Sequence, residues 1–203
     1  MLQRPAPRLI LASASVSRRA LLAGAGLDFA VRPADIDEAE VKRGARAEGM
    51  DAQGAALRLA ELKARCVAED DPDALVIGAD QILVCDGAWF DKPADVAAAR
   101  EQLRALRRRW HVLATAVVCQ QGRRRVWHHV AEPRLVMRDF SEEFLEHYLA
   151  GEGADVTSTV GCYRLEGRGV HLFTRIEGEH AAVLGLPLLP LLAFLREQGV
   201  VLS

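Results

Sequence analysis

The run from Ala74 to Asp80, Ala-Leu-Val-Ile-Gly-Ala-Asp, limits the possible folds more than any other stretch of this chain. Apolar and small residues in unbroken succession are typical of a strand that is covered on both faces, as in the sheets of α/β proteins. The run stops at Asp80, and ligands of such sheets collect at the carboxyl ends of the strands. Asp80 is therefore a candidate functional carboxylate. The alternative is an aspartate that caps the following turn.

A second apolar strand is predicted at residues 9–12, and it leads through a serine-rich turn into a helix over residues 18–25. The turn holds Ser13, Ser15 and Ser17, and the helix opens with Arg18. Unpaired N–H groups at a helix N-terminus attract phosphate, and arginine adds bidentate recognition of an anion. This segment predicts a phosphorylated ligand. The alternative is that Ser15 or Ser17 only caps the helix and that the arginine is solvated.

The remaining segments mix helices and strands. Helices are predicted at 51–69, 94–108, from Ser141 to near Gly151, and after Gly185-Leu-Pro187; strands are predicted at 29–32, 81–85, 110–119 and 124–137, and a loop at 35–40. A hairpin turn is predicted at Asp86-Gly87, and the strands at 110–137 form a second hairpin. These hairpins beside a β-then-α opening predict an α/β fold with a mixed sheet flanked by helices. We expect residues 1–203 to form a single domain of two lobes with a central cleft. The hairpin at 110–137 is the candidate second lobe.

Composition excludes several classes of partner. The 203 residues include 26 basic and 28 acidic side chains, and a formal charge of -2 gives no general attraction to nucleic acid or to anionic membranes.

We find no signal peptide and no run of transmembrane length, so a cytoplasmic protein is expected. The four cysteines lack metal-ligand spacing, which leaves carboxylates as the ligands for any metal. The apolar segment 186–195 allows a homodimer interface.

Three further charged residues, Glu38, Lys63 and Lys92, are individually ordinary surface residues, but their order along the chain is informative. Together with the two segments above they resemble the Maf family of nucleoside triphosphate pyrophosphatases. The resemblance is carried by Leu-Ala-Ser13-Ala-Ser15-Val-Ser-Arg18-Arg19-Ala-Leu-Leu, Asp-Ile-Asp-Glu38, Ala-Glu-Leu-Lys63-Ala, Gly78-Ala-Asp80-Gln81, Lys92-Pro93, and the closing Gly161-Cys-Tyr-Arg-Leu-Glu166-Gly with Gly185-Leu-Pro187-Leu. All of these blocks occur in the family's order along nearly the whole chain.

The resemblance implies a two-lobed fold similar to that of inosine-triphosphatase-like proteins, and hydrolysis of a nucleoside triphosphate between the α and β phosphates. It assigns Asp80, Lys63 and Lys92 to catalysis. Ser13, Ser15 and Arg18 are expected to bind the phosphates. Glu38 and Asp80 are expected to hold a divalent cation, Mg²⁺ or Mn²⁺.

Base selectivity is expected at Ser17, Gln81 and Glu166. Gln81 and Glu166 are similar to the branch of the family described as 7-methyl-GTP pyrophosphatases, and a carboxylate suits the two N–H donors of a guanine edge. Several positions depart from the pattern. Val16 and Ser17 stand where the family has proline followed by arginine or tryptophan, Asp91 stands where it has glycine, and Thr159 and Val160 replace a Lys-Ala pair typical of the pyrimidine branch. Hydrolysis of dTTP and UTP, or of many triphosphates, is the alternative. A nucleotide-binding regulator of septum formation is the alternative of another class.

Overall fold

A computed structural model describes residues 2–202 of the chain. The chain divides into two compact units. The first unit contains residues 2–81, 115–131 and 179–202, and the second contains residues 82–114 and 132–178. The predicted boundary is corrected by this division, because residues 115–131 of the 110–137 hairpin belong to the first unit.

Helices and strands are interspersed along the chain. The helices are α1 (Val16–Gly24), α2 (Glu38–Ala47), α3 (Ala52–Asp70), α4 (Val96–Leu106), α5 (Glu142–Glu152), α6 (His180–Val183) and α7 (Leu188–Glu197). The strands are β1 (Leu9–Leu11), β2 (Phe29–Val31), β3 (Leu75–Cys85), β4 (Ala88–Phe90), β5 (Trp110–Gln121), β6 (Arg124–Ala131), β7 (Arg134–Met137) and β8 (Phe173–Glu177). Three short 3₁₀ segments lie between residues 153 and 172.

The strands form one mixed sheet in the order β2-β1-β3-β5-β7-β8, with β4 beside β3 and β6 beside β5. In the first unit β1 is parallel to both β2 and β3, whereas β6 is antiparallel to β5. In the second unit β3–β4, β5–β7 and β7–β8 are all antiparallel pairs. The α/β fold with a mixed sheet flanked by helices is confirmed. The predicted Asp86-Gly87 turn joins β3 to β4, and both residues have positive φ, as a two-residue hairpin turn of this kind requires.

Helix α2 corrects the prediction of a loop at residues 35–40. Asp37 is its N-cap, and the Asp37 side chain accepts a hydrogen bond from Glu40 N at 2.9 Å. Glu38 and Glu40 lie in the first turn, where negative charge is favoured by the helix dipole. The acidic run that looked like a solvated loop therefore starts a helix, and it places Glu38 at a fixed position.

The predicted long strand at 124–137 is two strands. β6 ends at Ala131 and β7 begins at Arg134, because Pro133 has no N–H to donate to a sheet ladder. The helix predicted after Gly185-Leu-Pro187 is α7, and Pro187 is its N-cap.

The core of the first unit lies between β1, β3, β5 and the terminal helix α7. Its buried side chains include Leu11, Leu22, Ile77, Val117 and Leu195. β1 and the first half of β3 are buried throughout, as the apolar runs predicted. Among residues 2–202, none of the helices is long and apolar enough to cross a membrane.

Candidate active site

A buried cluster of three charged side chains lies in the first unit. Lys63 Nζ is 2.6 Å from Asp80 Oδ1 and 2.7 Å from Glu38 Oε1. The Lys63 and Asp80 side chains are only 8% and 6% exposed, whereas that of Glu38 is 49% exposed. The cluster thus has one open side, at Glu38. Three of the residues predicted for catalysis and metal binding are brought together by this contact.

The position of Lys63 depends on a close approach of α3 to β3. Gly78 lies two residues before Asp80, and a Cβ built on it would be 2.2 Å from Ala60 O and 2.8 Å from Ala64 Cβ. Since real atoms do not approach so closely, only glycine permits this packing. Ala60 and Ala64 flank Lys63 on the helix. The short contact therefore brings the lysine within hydrogen-bonding distance of the end of the apolar run.

Asp80 has one oxygen without a partner. Its Oδ2 is buried and makes no hydrogen bond within the described residues. A buried carboxylate oxygen left unpaired is costly, so such an atom points to a missing ligand. Together with the half-exposed carboxylate of Glu38, it fits a hard divalent cation that takes its other oxygens from substrate phosphates and water. Within residues 2–202, no group of three or more acidic, histidine or cysteine side chains is arranged to hold a metal by itself.

Arg18 is buried beside this cluster and is held by three hydrogen bonds. Its Nε donates to Gly185 O at 2.8 Å, and its Nη1 donates to Ala79 O at 2.9 Å and to Ser13 Oγ at 3.1 Å. Burial lowers the pKa of Arg18, and the charges of Asp80 and Glu38 oppose that shift. Gly185 has φ +97°, and a Cβ there would lie 3.2 Å from Arg18 Nε. Glycine at this position therefore leaves room for the guanidinium.

The serines of the opening segment have local partners. Ser13 Oγ accepts from Ser15 N at 3.3 Å as well as from Arg18. Ser15 is the N-cap of α1, and its Oγ accepts from Arg18 N at 3.4 Å. The capping role left open for Ser15 is thus observed. Binding of phosphate by these two serines stays a prediction, and so does a role for Ser17 in base selectivity.

Gln81 is fixed by a network that the sequence did not indicate. Its Nε2 donates to Thr115 Oγ1 at 2.8 Å, to Ala182 O at 3.0 Å and to Val183 O at 3.2 Å. Two of these partners are backbone carbonyls, which only accept, so the amide nitrogen must face them. A ligand at Gln81 would therefore meet its carbonyl oxygen. Thr115 is a single polar residue in an apolar stretch of β5, and that irregularity was a signal that sequence reasoning missed.

The other two predicted residues, Lys92 and Glu166, belong to the second unit and are exposed. Glu166 lies near Arg164: the pKa of Arg164 is raised, first by its hydrogen bond to Glu152 and to a lesser degree by the charges of Asp155 and Glu166. Their functional roles remain predictions.

The second unit contains a buried polar pair, His111 and Tyr163, and Tyr163 lies a few residues before Glu166 in the chain. His111 Nε2 is 2.7 Å from Tyr163 OH, and both rings pack against Phe173. Burial lowers the pKa of His111 to about 4, so its imidazole is neutral at pH 7. The same burial raises the pKa of Tyr163 well above its usual value. This pair therefore anchors Tyr163 within the segment 161–166, which ends at Glu166.

Comparison with known protein families matches residues 8–198 to the family described as Maf-like protein. The chain belongs to the Maf family. A relative from Granulibacter bethesdensis, named nucleoside triphosphate pyrophosphatase, is 55% identical over 190 residues, which cover 94% of this chain and 96% of the relative. A relative of the same name from Rhodospirillum rubrum is 49% identical and covers 97% of this chain and 98% of its own. A Rhizobium meliloti relative, named 7-methyl-GTP pyrophosphatase, is 46% identical over 96% of this chain and 98% of its own. The predicted family is thus confirmed.

Proposed function

We propose that this Maf-family chain is a nucleoside triphosphate pyrophosphatase, a hydrolase that cleaves the α–β phosphoanhydride. Water adds to phosphorus, the bridging P–O bond breaks, and a nucleoside monophosphate and pyrophosphate are released. The observation that carries this proposal is the contact of Lys63 with both Asp80 and Glu38 in a buried, half-open cluster. The names of relatives at 46–55% identity support the same reaction.

We assign each charged residue of the first unit a part in this reaction. Arg18 provides a permanent positive charge near the phosphates, and Lys63 provides a mobile one. Asp80 orients the attacking water and takes its proton, as a carboxylate can do. The sequence placed Asp80 at the end of a strand, but β3 continues past it to Cys85, so Asp80 lies in the middle of the strand. From the family resemblance, Lys92 is assigned to the phosphates.

We also propose a divalent cation, Mg²⁺ or Mn²⁺, held by Asp80 and Glu38. When bound, such a cation neutralises phosphate charge and lowers the pKa of a bound water. The unpaired Asp80 Oδ2 and the accessible carboxylate of Glu38 support this assignment. We place the activity in the cytoplasm, where nucleoside triphosphates are made and used.

Within this reaction, we propose 7-methyl-GTP as the preferred substrate. Gln81 presents a carbonyl oxygen, because its Nε2 is engaged by Thr115 and by residues 182 and 183. The family resemblance assigns Glu166 to the base as well. A carboxylate suits the ring N–H and amino group of guanine, and the positive charge of a 7-methylated base adds to its attraction. The name of the Rhizobium meliloti relative supports this choice.

A substrate panel tests both levels of the proposal. Purified protein is incubated with 7-methyl-GTP, GTP, dTTP or UTP, with Mg²⁺, with Mn²⁺ or with a chelator, and the monophosphate and pyrophosphate are measured. We expect metal-dependent release of both products, fastest from 7-methyl-GTP. Release of orthophosphate, or no turnover of any triphosphate, would contradict the reaction.

Broad or pyrimidine specificity is the second candidate, and the general name of the Granulibacter bethesdensis and Rhodospirillum rubrum relatives favours it. The variant Thr115→Val distinguishes the two, because it removes one acceptor that orients the Gln81 amide. We expect it to lower the preference for 7-methyl-GTP over dTTP about five- to tenfold, while Thr115→Ser retains the preference. An unchanged ratio in Thr115→Val would favour broad specificity.

A further inference from the structure

Lys63 occupies the place between the two carboxylates that a metal ion would use. Its Nζ lies 2.6 Å from Asp80 and 2.7 Å from Glu38, so one ammonium bridges both acidic groups. Both carboxylates thus have a positive partner without any added ion. A cation that bound the same two groups would be placed beside the ammonium and repelled by it.

The charges of the cluster balance without a ligand. Glu38 and Asp80 are negative, Lys63 is positive, and Arg18 is close enough for both carboxylates to act on its pKa. Two negative and two positive side chains therefore offset each other. A neutral cluster attracts a free divalent cation weakly, and it also attracts a free triphosphate weakly.

The two cations differ in how firmly they are held. The Arg18 guanidinium is buried and hydrogen-bonded to Ala79 O, Gly185 O and Ser13, which fix its position. The Lys63 ammonium contacts the carboxylates of Asp80 and Glu38, and its flexible four-carbon stem lets it move to another anion. A phosphate group at the open, Glu38 side of the cluster is such an anion.

We infer that Lys63 takes the place of the divalent cation between Glu38 and Asp80, and that substrate phosphates draw the ammonium away so that metal and nucleotide bind together. This inference rests on the proposed function. Lys63 then couples the two ligands: each raises the affinity for the other by the same factor, as linkage requires. The unpaired Asp80 Oδ2 gives the arriving metal an oxygen that no protein group occupies in the described chain.

Metal binding without nucleotide tests the inference directly. Free Mn²⁺ is measured by electron paramagnetic resonance in titrations of the wild type, of Lys63→Met and of Arg58→Met. Arg58 is the matched control, because it lies on the same helix and pairs with an exposed glutamate, Glu48. We expect Lys63→Met to lower the Kd for Mn²⁺ by about tenfold or more. Arg58→Met should have the wild-type Kd. An equal or higher Kd in a Lys63→Met protein with native circular dichroism would overturn the inference.

A second measurement needs no substitution and decides the matter if Lys63→Met does not fold. The chain has only three lysines, Lys42, Lys63 and Lys92, so their side-chain ammonium signals are separable by nuclear magnetic resonance after ¹⁵N-lysine labelling. We expect Mg²⁺ with a triphosphate analogue, methylene-bridged between α and β, to shift the Lys63 signal. A Lys63 signal that stays unchanged under saturating conditions would overturn the inference.

These results separate the inference from the proposed function. A wild-type protein that hydrolyses triphosphates, while Lys63→Met keeps wild-type Mn²⁺ affinity, contradicts the coupling role alone. A protein that hydrolyses none contradicts the proposed function, whatever its metal affinity.

Discussion

Both units of this molecule contain ion pairs between a basic side chain and a carboxylate, but the two environments are opposite. In the first unit, Lys63 and Asp80 pair with side chains that are 8% and 6% exposed. In the second unit, Arg104 and Glu142 join α4 to α5 at a similar distance, 2.7 Å, but their side chains are 39% and 50% exposed. Burying charges requires their desolvation, which their attraction often fails to offset, whereas exposed pairs add little stability. The buried pair therefore indicates function, and the exposed pair indicates surface packing.

The largest effect is expected from Asp80→Asn. This variant keeps the shape of the side chain and removes the carboxylate that we propose as the base for the attacking water. We expect kcat to fall by about 10²–10⁴-fold with little change in the circular dichroism spectrum. A rapid-quench assay of pyrophosphate release is the measurement. A variant within a few-fold of wild-type activity would show that the buried carboxylate of the first unit does not act in the chemistry.

The buried polar pair of the second unit, His111 and Tyr163, should act on stability through pH. An unfolded histidine has a pKa near 6.5 and His111 in the fold has one of about 4, so the unfolded state binds more protons between these values. Stability is therefore complete above about pH 6.5 and falls as the pH drops toward 4, by about 3 kcal/mol from this residue.

Denaturant unfolding between pH 4 and 7 measures this loss. The doubly apolar variant His111→Leu/Tyr163→Phe should have a shallower pH dependence than the wild type, because neither state then binds a proton at position 111. His128→Asn is the control, since His128 is exposed on β6 and its loss should leave the slope unchanged. Equal slopes in wild type and double variant would contradict the assignment.

Gly78→Ala should weaken the packing that builds the buried pair of the first unit. The added Cβ meets the backbone oxygen of Ala60, which has little freedom to move. We expect the free energy of unfolding to fall by about 1–3 kcal/mol, together with reduced activity, because α3 carries Lys63 away from Asp80.

Urea unfolding and initial rates are the measurements for this variant. Gly44→Ala is the control. A Cβ on Gly44, which lies inside α2, meets nothing within 4 Å, and alanine there should raise stability by about 0.5–1 kcal/mol. Wild-type stability in Gly78→Ala would show that the close approach is dispensable.

The smallest effect is expected from Arg104→Met, which removes the exposed contacts with Glu101 and Glu142. We expect no resolvable change in Tm and none in kcat. Tm is measured by calorimetry at low and high salt. A clear fall in Tm would contradict the expectation that the exposed pairs of the second unit add little stability.

Sequence reasoning predicted most of the elements because their signals are local. The apolar runs at β1 and β3 and the Asp86-Gly87 turn each identify one element without reference to the rest of the chain. Helix α2 was missed because it has few buried residues, of which Ala45 is one, and therefore lacks the apolar stripe that identifies a helix from sequence. Its N-cap at Asp37 was the available clue.

The site was predicted residue by residue, but its contacts were not. Lys63 was assigned to catalysis from its place in the sequence, and the structure shows that its partners are Asp80 and Glu38. Gln81 was assigned to the base, and the structure shows its nitrogen turned toward residues 182 and 183. Such partners are far apart in sequence, so no local pattern predicts them.

The hydrogen bond from Arg18 to Gly185 joins residues that are 167 positions apart. During synthesis Gly185 is added 167 residues after Arg18, so a nascent chain holds Arg18 without this carbonyl. The native arrangement of the guanidinium forms only after residue 185 has been added. A chain released early, before residue 179, would contain Ser13, Lys63 and Asp80 and still lack the contact that fixes Arg18 beside them.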